Sequence, residues 1–122
     1  MNDEIGTSFG TYLKKVREGK NIKIRQLAKN VGKTPTYLSD IENGNNKPPG
    51  KDLLEKIICA LDIEQYPDVK TNLYDLAAKE RNDVPADIKE YIMKNRMLQN
   101  LIRSTKNMPD AEQVWARLLT EL

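Results

Sequence analysis

The sequence predicts an all-α protein built in two regions. Apolar residues recur at spacings of three and four along nearly all of its 122 residues, and no stretch alternates strictly over a strand's length. Glycine, asparagine and proline interrupt these periodic segments where helices would have to stop.

The first helix is expected from about Ser8 to Glu18, with Thr7 or Ser8 as N-cap, Phe9, Leu13 and Val16 on one face, and Gly19 at its end. A short second helix spans about Lys23 to Asn30 with Leu27 and Ala28 inward. Gly32 follows where a residue with positive φ lets the chain turn sharply. The third helix has the clearest start in the sequence: Thr34 as N-cap and Pro35 at the first helical position, where the missing N–H costs nothing. It ends near Asn43-Gly44, and NNKPPG over residues 45–50 is a loop by composition. A fourth helix, about Lys51 to Leu61, carries Leu53, Leu54, Ile57, Ile58 and Leu61 as a broad apolar stripe.

Residues 64–71, which include Pro67, are the candidate boundary, dividing the chain into residues 1–66 and 67–122. Four more helices are expected beyond it. They run from Asn72 to Arg81 (Leu73, Leu76 and Ala77 inward), Pro85 to about Lys94 (Ile88, Ile92), about Met97 to Lys106 (Leu98, Leu101, Ile102), and from a capping-box-like start at Asn107-Met108-Pro109-Asp110 to the end.

Composition narrows the function classes. Cys59 is the sole cysteine and histidine is absent, so no intrachain disulfide and no Cys/His zinc site can form, and no metal is expected. The usual general base for a serine or cysteine nucleophile is missing, and Cys59 falls on an apolar helix, where a neutral buried thiol is expected. No phosphate-binding glycine loop and no paired carboxylate cluster is present, so neither a cofactor nor enzymatic activity is expected. The first fifteen residues lack a signal peptide's basic start and apolar run, and no segment reaches the roughly 18 apolar residues of a membrane span. A soluble protein of the reducing cytoplasm is the expectation.

Net charge is +2 overall, but 11 basic residues stand against 8 acidic through Ile63, and 9 against 10 from Glu64 onward. Two of the early acids, Asp3 and Glu4, fall in a segment expected to fray, so the body of the first region is more basic than the sum indicates. This is mild support for a polyanionic partner.

Two helices joined by a short glycine-containing turn, the second capped and polar on its outer face, suit the major groove of DNA. With Leu38 and Ile41 pointing inward, Thr36, Asp40 and Asn43 fall within about 50° of the opposite direction, and Ser39 lies further round. Such short polar side chains can read base edges: Asn toward adenine, Asp toward the cytosine amino group, Thr toward a thymine methyl. The helix N-terminus adds backbone N–H groups suited to phosphate.

The stretch LAKNVGKTPTYLSDIENG, followed by KP and LLEKIICALDI, resembles the lambda-repressor-like or Cro-like helix-turn-helix family, also called the XRE family. The resemblance runs from Leu13 to Ile63, under half the chain. It rests most on Leu27-Ala28, the turn at Val31-Gly32, the run from Tyr37 to Gly44, and Leu61. It implies a four- or five-helix DNA-binding domain in a small transcriptional regulator, with Thr36 and Asp40 at base-contacting positions and Thr34, Pro35, Ser39 and Asn43 beside them. It also implies a phosphate or sugar contact for Tyr37, phosphate neutralisation by Lys23, Lys33 and Lys47, and a structural ion pair between Arg17 and Glu42. One departure is Ile24, where many relatives place a glutamine that touches phosphate.

Each assignment has a plainer alternative: a solvated helix face for the polar residues, scattered surface lysines, and two exposed charges for Arg17 and Glu42. For the second region two uses are open. One is homodimerisation through surfaces that include Trp115, Leu118 and Leu122, so that two subunits read a (pseudo)palindromic operator as a repressor; the plainer form is helices that only extend the monomer core. The other is an antitoxin or a phage or mobile-element regulator, whose C-terminal helices bind a protein partner while the first region controls its own promoter.

Overall fold

The computed structural model describes residues 7–122; Asp3 and Glu4 lie outside them. Among the described residues there are eight α-helices and no strand: α1 (Phe9–Gly19), α2 (Ile24–Val31), α3 (Pro35–Glu42), α4 (Lys51–Ala60), α5 (Pro67–Arg81), α6 (Ala86–Lys94), α7 (Arg96–Thr105) and α8 (Ala111–Leu119). They divide into two compact units that meet between Asp87 and Ile88.

The caps of the first unit follow from local chemistry. The Ser8 hydroxyl accepts the Thr11 N–H at 3.1 Å and opens α1. At the end of α2, Gly32 adopts φ +73°, a backbone that a side chain would strain; its amide donates to Lys29 and the next amide, Lys33, to Ala28. Thr34 caps α3 by accepting the Tyr37 N–H at 3.0 Å, with Pro35 in the first turn. Gly19 is the last helical residue of α1, and the left-handed turn falls instead at Asn21, φ 58°.

The core of this unit is one cluster in which Phe9, Leu13, Leu27, Leu38, Leu54 and Leu73 are fully buried. Leu73 belongs to α5, as do Tyr74, Leu76 and Ala77, which join the same cluster. The domain boundary therefore falls after Asp87 and not in residues 64–71. Pro67 is the reason: it occupies the first turn of α5, where proline starts a helix, so the segment expected to separate two regions is where α5 begins. A side chain at Gly10 would fall on the carbonyl oxygens of Ile41 and Glu42, so α1 crosses the end of α3 at backbone contact.

Cys59 is exposed, not buried. Leu54, Ile57, Ile58 and Leu61 set the inward face of α4, and Cys59, one helical step of about 100° past Ile58, turns with Glu55 and Lys56 toward solvent.

The second unit has a much thinner interior. The Asn95 side chain caps α7 by accepting the Leu98 N–H at 2.8 Å, and the Gln99 amide donates to the carbonyls of Ile92 and Met93 at 2.8 and 2.9 Å, which fixes the α6–α7 corner. Only Thr105 is buried among residues 88–122, its hydroxyl donating to Leu101. Ile88, Leu101 and Ile102, expected inward, are exposed, and Ile92 and Leu98 are half-buried: three short helices cannot enclose a core of their own. Asp110 holds the N-cap position of α8 with ψ 22° and makes no side-chain cap bond, because that bond needs an extended cap residue.

Candidate nucleic-acid interface

The turn between α2 and α3 has a single geometry, because both helix ends around it are closed by hydrogen bonds. Gly32 and Lys33 satisfy the last carbonyls of α2, and Thr34 satisfies a first amide of α3. Leu38 and Ile41 pin the inner side of α3 in the core at 0% and 1% exposure. Its outer side is left as a polar surface on a fixed support.

Thr36 and Asn43 are exposed on that surface, and Ser39 and Asp40 are half-buried at its edge. The Asn43 amide approaches the Ser39 hydroxyl at 3.4 Å, a weak contact that leaves both groups capacity for other partners. Thr34 and Pro35 are exposed at the helix start, but the Thr34 hydroxyl oxygen is engaged by the cap bond and proline has no donor, so their part is to shape this end of the helix.

Basic residues precede and follow α3 in the chain. The Lys33 ammonium lies 5.3 Å from the centre of the half-buried Tyr37 ring, a cation–π contact that places charge and phenol together beside the N-terminus of α3. Lys47 is exposed in the loop after α3, and Lys23 is exposed at the N-cap of α2. Lys23 shares no hydrogen bond or ring contact with the α3 group among the described residues. Ile24 is half-buried against the core.

Arg17 and Glu42 meet in a buried bidentate pair. Arg17 Nε donates to Glu42 Oε2 at 2.7 Å and Nη2 to Oε1 at 3.0 Å, while Nη1 donates to the Ile22 carbonyl at 2.8 Å. The side chains are 9% and 4% exposed. The hydrogen bond to Glu42 raises the Arg17 pKa above its ordinary value against the opposing effect of burial, so the guanidinium stays charged. The pair ties α1 and the chain before α2 to the last residue of α3 and sets the tilt of the polar surface.

A second support comes from α5. Glu80 Oε2 accepts the Phe9 N–H at 2.6 Å, placing a carboxylate on the first turn of α1. Arg81 Nη1 donates to the Pro48 carbonyl at 2.8 Å, and the Asn72 amide donates to the Tyr12 hydroxyl at 3.1 Å. No local spacing signals these bonds, which join residues 33 to 71 positions apart.

Trp115 is half-buried in α8, whereas Leu118 and Leu122 are 43% and 92% exposed, Leu122 lying beyond the helix end. No helix is long and apolar enough to cross a membrane, and no group of three or more metal-ligating side chains occurs among the described residues.

Residues 13–64 match a family model described as helix-turn-helix. A 10 kDa protein of the ImmF control region of Bacillus phage phi105 is 44% identical over 59 residues, which cover 48% of this chain and 66% of the phage protein. No solved structure matches.

Proposed function

Residues 13–64 being a helix-turn-helix domain of that family, we propose that the protein is a sequence-specific DNA-binding regulator of the phage-control type, acting as a repressor and not as an enzyme. The observation that carries the reading is the outer face of α3. Thr36, Asp40 and Asn43 stand on a helix whose start is capped, whose inner side is fully buried and whose last residue is clamped by Arg17. Direct readout needs short polar groups whose position is fixed before DNA arrives, because each ordered rotamer would otherwise subtract from affinity.

Thr36 and Asp40 would contact bases, with Ser39 and Asn43 beside them. Thr34 and Pro35 set the helix N-terminus against a phosphate, and Tyr37, Lys33, Lys47 and Lys23 neutralise or contact the backbone. One such module covers a half-site, so two chains would read half-sites about one helical turn apart, roughly 34 Å. The exposed Leu118 and Leu122, with the half-buried Trp115, would form a dimerisation surface in the second unit.

Selection of bound sequences from random duplex DNA with the full chain tests this. A two-fold symmetric consensus is expected, with half-site centres about 10 base pairs apart. Recovery of no enriched sequence would remove the specific-regulator reading, and a single asymmetric site would remove the dimer.

A further inference from the structure

The loop from Asn45 to Pro49 follows α3 and carries the exposed Lys47; the proline rings fix φ at Pro48 and Pro49 but not at Lys47. Its two ends are held by different elements. The Asn45 amide donates to the Asp40 carbonyl at 2.8 Å, and the Asn46 amide reaches the same oxygen at 3.3 Å, so the start of the loop follows α3. Its far end is held through the Pro48 carbonyl, to which Arg81 Nη1 donates at 2.8 Å. Pro48 and Pro49 are buried, and Lys47, between the two tethers, is exposed.

Arg81 is the last residue of α5, exposed, with the backbone on either side of it held. Asn82 closes the helix in the left-handed conformation, φ 52°, and the preceding Glu80 accepts the Phe9 N–H at 2.6 Å. The body of α5 is anchored by Leu73, fully buried, and by Leu76 and Ala77. Arg81 therefore links a rigid helix outside the matched residues 13–64 to the carbonyl one residue past Lys47.

We infer that Arg81 is a positioning residue for DNA binding: by holding the Pro48 carbonyl it keeps the loop in the one conformation in which Lys47 meets a phosphate. This rests on the DNA-binding reading above. A lysine on an untethered loop must be ordered on binding and gives back part of its contact in entropy, whereas a tethered one is already placed. The guanidinium acts through the loop and touches no nucleic acid itself.

The test uses the full chain and a mixed-sequence duplex, with affinity followed from about 50 to 200 mM salt, where each phosphate neutralised contributes about 0.9 to the slope of log K against log salt. Lys47→Ala is expected to lower the slope by about one, Arg81→Met to lower it by a similar amount, and the double variant to lower it no further. Thermal melting of each variant shows whether the fold is kept; should Arg81→Met not fold, Arg81→Gln must show the same loss.

An unchanged slope in the folded Arg81 variant overturns the inference, as does additivity with Lys47→Ala, which would mean a phosphate contact of its own. An unchanged slope in Lys47→Ala overturns it as well. A wild-type chain that binds no duplex would instead overturn the DNA-binding reading on which the inference stands.

Discussion

Arg17 and Glu42, 25 positions apart, form a bidentate ion pair in which neither side chain is more than 9% exposed. A buried pair of this kind costs little to replace as a whole and a great deal to break, because one remaining charge would sit uncompensated in the interior. Arg17→Met or Glu42→Leu alone is expected to lose about 3–5 kcal/mol in a urea titration, and the two together much less. The folded Arg17 pKa is raised, so this contribution is complete below the ordinary arginine value and is lost only as pH rises beyond it. Single losses under about 1 kcal/mol would mean that the pair is effectively solvated.

Gly10 is expected to be intolerant of even one added carbon. Gly10→Ala gains helix propensity of roughly 1 kcal/mol, but its methyl group would fall on the carbonyl oxygens of Ile41 and Glu42. Forcing α1 from α3 should outweigh that gain and give a net loss of about 1–3 kcal/mol. A stabilised Gly10→Ala in thermal melts would show that the two helices separate freely.

On the polar face, Asp40→Ala should act on sequence preference. Selection from random DNA is expected to show relaxed choice at one position per half-site, with discrimination there falling by about 1–3 kcal/mol. Equal loss of affinity on random and selected duplexes would count against direct readout by Asp40.

Truncation separates the two units. A fragment ending at Asp87 keeps every helix that lines the first core and should melt cooperatively, whereas one ending at Ile63 loses the fully buried Leu73 with Leu76 and Ala77 and should be largely unfolded. Sedimentation of the fragment to Asp87 then tests the proposed dimer surface: the fragment should be monomeric and the full chain should be dimeric. A dimeric fragment would place the interface in the first unit.

Asp75 gives a small pH dependence. Burial, and then the neighbouring Asp87, pushes its pKa above the ordinary carboxylate value, so folding disfavours its ionised form. Its cost to stability is therefore present above the unfolded pKa and disappears as pH falls below it. Asp75→Asn is expected to stabilise the fold slightly at pH 7, by less than about 1 kcal/mol because the residue is exposed, with no gain near pH 3. A gain that persists at low pH would assign the effect to packing.

Much of the first unit was legible in the sequence because its signals are local. Thr34-Pro35 marks the start of α3 and Gly32 a left-handed helix end, each within a few residues of the bond it makes. The inward line of Leu38 and Ile41 follows from helical period alone, and it left Thr36 and Asn43 outside. The second unit was less legible: periodicity states which side of a helix is apolar but not whether anything covers it, and Leu101 and Ile102 remain exposed.

An all-helical chain, the capped turn before α3 and the polar residues on that helix all follow from local patterns in the sequence. That Pro67 opens a helix of the first core, that Cys59 faces solvent, and that Glu80 and Arg81 hold α1 and the Lys47 loop emerge from the folded arrangement alone. The reason is range. Caps and helical periods are set by residues within about one or two turns of each other, whereas these features depend on which distant surfaces meet, and a pattern along the chain does not carry that information.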